Sequence, residues 1–131
     1  MLDHIFLTVS DLDRSIAFYE AVLPVLGIDR RHDYAGKDGP PGHPDLKGFG
    51  AEGRVFFWLR QGSPSPDAVH VGFVAHSEAE VRSAYDAALA AGATTKIVPC
   101  AQDYYDPRYY AAQVNDPDGY SLEFVYKPWQ H

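Results

Sequence analysis

The stretch AVHVGFVAHSEAEVRSAYDAALAAGATTKIVP, residues 68–99, decides the fold, because it restarts a pattern already used at the front of the chain. It begins with a strand-like run around His70 and continues into Ser77 and Glu80, a cap-like SEAE box. An amphipathic helical segment follows and stops near Gly92. Residues 2–27, LDHIFLTVSDLDRSIAFYEAVLPVLG, run through the same order. His4 opens a short strand, Ser10 or Asp11 caps a helix, and Gly27 stands where that helix stops. Between them Leu12, Ile16, Tyr19, Leu23 and Leu26 recur at helical spacing, with Pro24 ending or kinking the last turn.

Further strands complete each half. IDRRHDY (28–34) and RVFFWLR (54–60) read as strands, GKDGPPGHPDLKG (36–48) as the long loop between them, and QGSPSPD (61–67) as a linker. After the second helix, YYAAQVND (109–116) and YSLEFVYK (120–127) alternate like strands on either side of the DPDG reversal. Each half is then a strand, a helix and up to three strands, too small at about sixty residues to hold a good core alone. Two such halves sharing one core predict a single α+β domain over residues 1–131, with module one at about 1–61 and module two at about 68–131.

Composition narrows the function. The 131 residues are 46% apolar, enough for a real core. Against 11 basic residues stand 18 acidic ones, and the net charge of −7 argues against nucleic acid. No apolar run approaches the roughly 20 residues that cross a bilayer. A single cysteine, Cys100, makes no internal disulfide and reads as a small packed side chain. The expectation is a soluble, cytoplasmic protein without nucleic-acid or membrane partners, acting on a small molecule.

Superposing the halves by element order puts His4 and His70 at the openings of equivalent strands. Glu123 lies mid-strand in YSLEFVY and faces away from its neighbours Leu122 and Phe124. A carboxylate held in such a position is costly unless a cation or hydrogen-bond donors meet it. Two imidazoles and a carboxylate can bind Fe, Mn, Zn or Ni and leave open positions for substrate. The spacing also fits a plainer reading, in which Glu123 faces water and the two histidines are satisfied separately.

The segments DHIFLTVSDLDRSIAFYEAVLPVLGI, VHVGFVAHS and DPDGYSLEFVY resemble those of the vicinal oxygen chelate superfamily, which includes glyoxalase I, extradiol dioxygenases, fosfomycin-resistance proteins and bleomycin-binding proteins. The resemblance implies two βαβββ modules forming a cupped, incompletely closed eight-stranded mixed sheet, helices outside, around a divalent metal. It places the metal ligands at His4, His70 and Glu123, and it implies a homodimer. Glyoxalase I enzymes add a fourth protein ligand on the module-one strand that matches the strand of Glu123. Counting forward from Gly53 and Gly119 puts Phe57 there, where a phenyl ring serves as pocket wall and cannot coordinate. Three ligands are the pattern of the dioxygenase and fosfomycin-resistance branches.

The expected function is thus a metal-dependent enzyme that chelates adjacent oxygens of a small organic substrate and acts by Lewis-acid catalysis as a lyase, isomerase, thiol transferase or dioxygenase. Its rival is a metal-free small-molecule binder of the bleomycin-resistance kind. Glu123 and Tyr110 are the catalytic candidates, and Phe6, Thr8, Phe57 and Tyr109 the substrate-binding ones. Of the paired Tyr109 and Tyr110, alternation sends one ring to the pocket and the other away. Tyr104 and Tyr105 suit a substrate-side loop, the 36–48 loop suits a lid, and His32, His43, His76 and His131 read as solvated.

Overall fold

The helices form where the capping chemistry places them. Asp11 accepts from the backbone N–H of Arg14 at 3.1 Å and starts α1, Leu12–Val22. Ser77 accepts from the N–H of Glu80 at 3.0 Å and starts α2, Glu78–Ala90. Pro24 opens a 3-10 turn, Leu23–Leu26, that tightens the end of α1. A computed structural model describes residues 1–130 of the chain; His131 lies outside the described residues.

Eight strands flank these helices: β1 Ile5–Val9, β2 Arg30–Tyr34, β3 Leu46–Ala51, β4 Arg54–Gln61, β5 His70–Val74, β6 Thr94–Ala101, β7 Tyr110–Asn115 and β8 Ser121–Tyr126. They form two four-stranded mixed sheets, ordered β1-β4-β3-β2 and β5-β8-β7-β6, so the repeat holds strand by strand. The β1–β4 and β5–β8 pairs are parallel and the others antiparallel. The eight strands thus divide into two sheets with no closed barrel. Residues 46–48, read from sequence as the end of a loop, open β3.

Alternation gives each sheet two different faces. Leu7, Val9, Phe57 and Leu59 of sheet one, with Val71, Phe73, Leu122 and Phe124 of sheet two, turn inward and form one core with Phe18, Tyr19 and Val22 of α1 and Val81, Ala84 and Ala88 of α2. The opposite faces are left open. His4 precedes β1 on that side, followed by Phe6, which is 44% exposed; His70 and Val74 occupy it in β5.

The turn after β7 fastens the two modules together. Tyr19 of α1 donates to the Asp116 carboxylate at 2.6 Å, and Ser10 and Arg14 both donate to Asp118. The Tyr120 hydroxyl donates to the Thr8 carbonyl at 2.6 Å while accepting from the Ser65 N–H at 3.0 Å. Asp116 also accepts from the N–H groups of Asp118 and Tyr120, each at 2.9 Å, which fixes the turn itself.

Candidate metal centre

Glu123 is only 8% exposed, yet its side chain stands on the open face of sheet two. The register explains how: Gly72 of β5 lies beside it on one side and Gln113 of β7 on the other. A Cβ at Gly72 would meet nothing within 4 Å, so the space in front of the carboxylate is clear on that flank.

Two groups hold the carboxylate. His70 Nε2 lies 3.0 Å from Oε2, and the Tyr109 hydroxyl donates to Oε1 at 2.6 Å. On the far side of the imidazole, Nδ1 is 2.8 Å from Ser121 Oγ, which accepts from Lys96 Nζ at 3.1 Å. One arrangement of protons satisfies all of these contacts. Lys96 donates to Ser121, Ser121 to His70 Nδ1, and His70 Nε2–H to Glu123. Burial, and then the hydrogen bond to Glu123, raises the Tyr109 phenol well above its ordinary value, so it remains a donor at neutral pH.

The pair fits a metal. Two donors bound to one ion at about 2.1 Å lie about 3.0 Å apart at a right angle and about 3.4 Å apart in a tetrahedron. The observed 3.0 Å falls within that span. Ligation would take the Nε2 lone pair, moving the imidazole proton to Nδ1, where Ser121 Oγ would accept it as the outer partner that fixes the tautomer of a metal-bound imidazole. Nitrogen and carboxylate donors suit Fe, Mn, Zn or Ni alike.

His4 does not join this pair. Among the described residues no three His, Cys, Asp or Glu side chains gather into a metal-binding group. His4 lies at the corresponding place on sheet one, its Nδ1 2.5 Å from Asp3 and its ring packed edge-on against Phe6 at 5.2 Å. Phe6 and Thr8 share that open face, and Thr8 Oγ1 accepts from Arg60 Nε at 2.8 Å.

Other expectations need correction. Phe57 is 1% exposed and contacts Tyr19, Phe49 and Phe73, so its ring belongs to the core, while its edge borders a cavity of about 270 Å³ shared with Val71, Gly72 and Phe73. The counting fails because the two glycines are not equivalent starting points: Gly53 directly precedes β4, whereas Tyr120 stands between Gly119 and β8. Register places Phe6 beside Trp58 and Gly72 beside Glu123, which makes Trp58 the counterpart of Glu123. An indole does not ligate a metal either. Tyr110 falls in the alternation of Ala112 and Val114, facing α2, and accepts from Arg82 at 3.2 Å; Tyr109 is the phenol at the site. His43 is half-buried, its ring edge-on to Tyr34 at 5.3 Å. Tyr104 and Tyr105 are exposed and stacked beside Tyr109.

Ser121 and Lys96 are additions to the sequence reading. Ser121 was legible by alternation, being two residues from Glu123 on one strand, whereas nothing local signalled Lys96.

An αβ chain of paired βαβββ units with an imidazole–carboxylate pair on an open sheet face defines a recognisable class. The chain belongs to the Glyoxalase/Bleomycin resistance protein/Dioxygenase superfamily, whose family model matches residues 1–124. A glyoxalase/bleomycin resistance protein from Albidiferax ferrireducens T118 is similar over 98% of this chain and 99% of its own, at 25% identity and TM-score 0.77. A glyoxalase/bleomycin resistance protein/dioxygenase family enzyme from Burkholderia phytofirmans PsJN is 17% identical, covering 94% of this chain and 95% of its own at TM-score 0.68. The fosfomycin resistance protein FosX from Mesorhizobium loti is 18% identical, covering 95% and 89% at TM-score 0.64. No curated protein matches. Among the described residues no helix is long and apolar enough to cross a membrane.

Proposed function

We propose that this chain is a metal-dependent enzyme acting on a small organic substrate with adjacent oxygen atoms. His70 and Glu123 hold the ion, and His4 of a second copy supplies the third ligand. The observation that carries this reading is the buried Glu123 carboxylate 3.0 Å from His70 Nε2 on an otherwise open face. His4, exposed on the equivalent face of module one, has the chemistry the pair lacks and is free to reach a partner's pair. A two-fold dimer brings it there twice, because an isologous interface makes each contact reciprocally.

The bound ion supplies Lewis-acid polarisation of the substrate oxygens. The chain's own groups prepare the site. Ser121 would accept the Nδ1 proton of the metal-ligating tautomer of His70, Tyr109 holds one carboxylate oxygen and leaves the other for the ion, and Gly72 leaves room for the substrate. Tyr109 retains its proton throughout and serves as a hydrogen-bond donor. The choice among lyase, isomerase, thiol transferase and dioxygenase follows from the substrate, which the fold does not select.

The test is metal content and its complementation. Tag-free protein is expected to bind Mn, Fe, Zn or Ni stoichiometrically, while His4→Ala and Glu123→Ala each lose the ion. Mixed His4→Ala and Glu123→Ala subunits are expected to regain one site of the dimer's two. No binding of any of these ions by the unaltered protein overturns the enzyme and favours a metal-free binder. Metal without complementation removes the shared site.

A further inference from the structure

We propose that module one carries a cup for a planar, uncharged aromatic ring, floored by the indole of Trp58 lying across Gly48. The cup is a cavity of about 290 Å³ lined by Phe6, Tyr34, His43, Leu46, Val55 and Trp58, with His4 and Asp3 at one rim. That volume is close to the lower end of small-ligand pockets, about 300 Å³.

Its floor is built rather than incidental. Along one row of the open face, register sets Phe6, Trp58, Gly48 and His32 side by side on β1, β4, β3 and β2. Trp58 folds over the gap at Gly48. A Cβ there would lie 2.6 Å from Trp58 Cζ3 and 2.5 Å from Val55 Cγ1, closer than any real side chain allows. The missing side chain is what leaves room for the six-membered ring of the indole over Gly48. His32 meets the indole edge-on at 6.1 Å and holds its far side.

The wall comes from the 36–48 loop. The Gly36 N–H donates to Asp45 at 2.8 Å, closing the loop at its base, and His43 then leans edge-on against Tyr34 at 5.3 Å. Phe6 forms the opposite wall and is itself packed edge-on by His4 at 5.2 Å. A flat ring entering here meets the indole and the rings of Phe6, Tyr34 and His43, in reach of the offset and edge-to-face contacts that aromatic groups prefer. A puckered saturated ring of equal size cannot approach the indole as closely. The lining contains no lysine or arginine and its one carboxylate, Asp3, stands at the rim, which disfavours an anionic group there. With His4 on the rim, the cup becomes the specificity pocket of the proposed metal site, and to that extent the inference rests on the reading above.

Trp58 and Trp129 are the only tryptophans. In Trp129→Phe protein stripped of metal, the single indole N–H resonance therefore reports the cup alone. Phenol and catechol are expected to shift it saturably, and cyclohexane-1,2-diol to bind at least about tenfold more weakly. Gly48→Ala, which lifts the indole, and Phe6→Ala, an exposed position that leaves the core intact, are each expected to weaken phenol about fivefold to tenfold, and Gly48→Ala, which touches no proposed ligand, to leave metal binding unchanged. No saturable shift with either aromatic probe, equal affinity for the saturated diol, or undiminished binding in Phe6→Ala overturns the cup. Metal uptake without a phenol shift overturns the cup alone, and a phenol shift without metal uptake overturns the metal reading alone.

Discussion

The two sheets have the same strand order and opposite chemistry on their open faces. At matching positions sheet one sets Phe6, Trp58 and Gly48 in a row, and sheet two sets Gly72, Glu123 and Gln113. Where one module has a bulky ring beside a bulky ring and a glycine beyond, the other has a glycine beside a carboxylate and an amide beyond. The inward faces do not diverge in this way. Phe57 and Leu122 occupy matching core positions, and both are at most 1% exposed. Duplicated scaffolds can thus share their interior while differing on the surface, one half presenting an imidazole–carboxylate pair and the other a row of aromatic rings.

Substitutions that erase the difference between faces are the sharpest tests. Phe57→Ala and Trp58→Ala remove adjacent rings from opposite sides of one strand. The first is expected to cost about 3–5 kcal/mol in urea unfolding, because it opens a cavity against Tyr19 and Phe73. The second is expected to cost about 1–2 kcal/mol, since the half-buried indole leaves less apolar surface to re-expose. Equal costs would undo the distinction between the faces.

Gly72→Phe copies the module-one residue into module two. The ring is expected to fill the space before Glu123 and weaken metal binding about tenfold or more in a calorimetric titration, leaving the thermal midpoint nearly unchanged. Unaltered affinity would mean that substrate and ion approach from elsewhere.

Tyr109→Phe is the mildest change. Loss of one donor to Glu123 is expected to reduce metal affinity about tenfold. It also carries a pH signature. Tyr109 and the fully buried Tyr19 both keep their protons above the ordinary tyrosine value of about 10. The folded chain therefore holds more protons than the unfolded chain at alkaline pH. That contribution is complete below pH of about 10 and is lost as pH rises toward the folded values. Urea midpoints across this range should fall less steeply in Tyr109→Phe than in the unaltered protein.

Much of the architecture was legible because helix caps and alternation are local signals. Asp11, Ser77 and the DPDG turn act where the sequence placed them. β3 was hidden because LKGFGA carries two glycines, which read as loop residues. At Gly48 the strand needs one for a nonlocal reason, the indole resting upon it. Alternation also separated Tyr109 from Tyr110 without saying which faced the carboxylate, since that depends on strand register. Of the expected ligands, His70 and Glu123 meet through the parallel β5–β8 pairing. His4 stands on the other sheet, beside Asp3 and Phe6, and strand pairing does not bring it to that pair.

The stitching turn at 116–120 has a consequence for the order of events in folding. Its bonds reach back across 97 residues to Tyr19 and 112 to Thr8, so the carbonyl at the end of β1 receives its tyrosine only after nearly the whole chain has been synthesised. Contacts of such separation close slowly, because the chain entropy is lost before the interaction rewards it. On a ribosome, the first-made module waits on the last-made turn, and a nascent chain halted short of Asp116 presents an incompletely fastened α1 to whatever surrounds it.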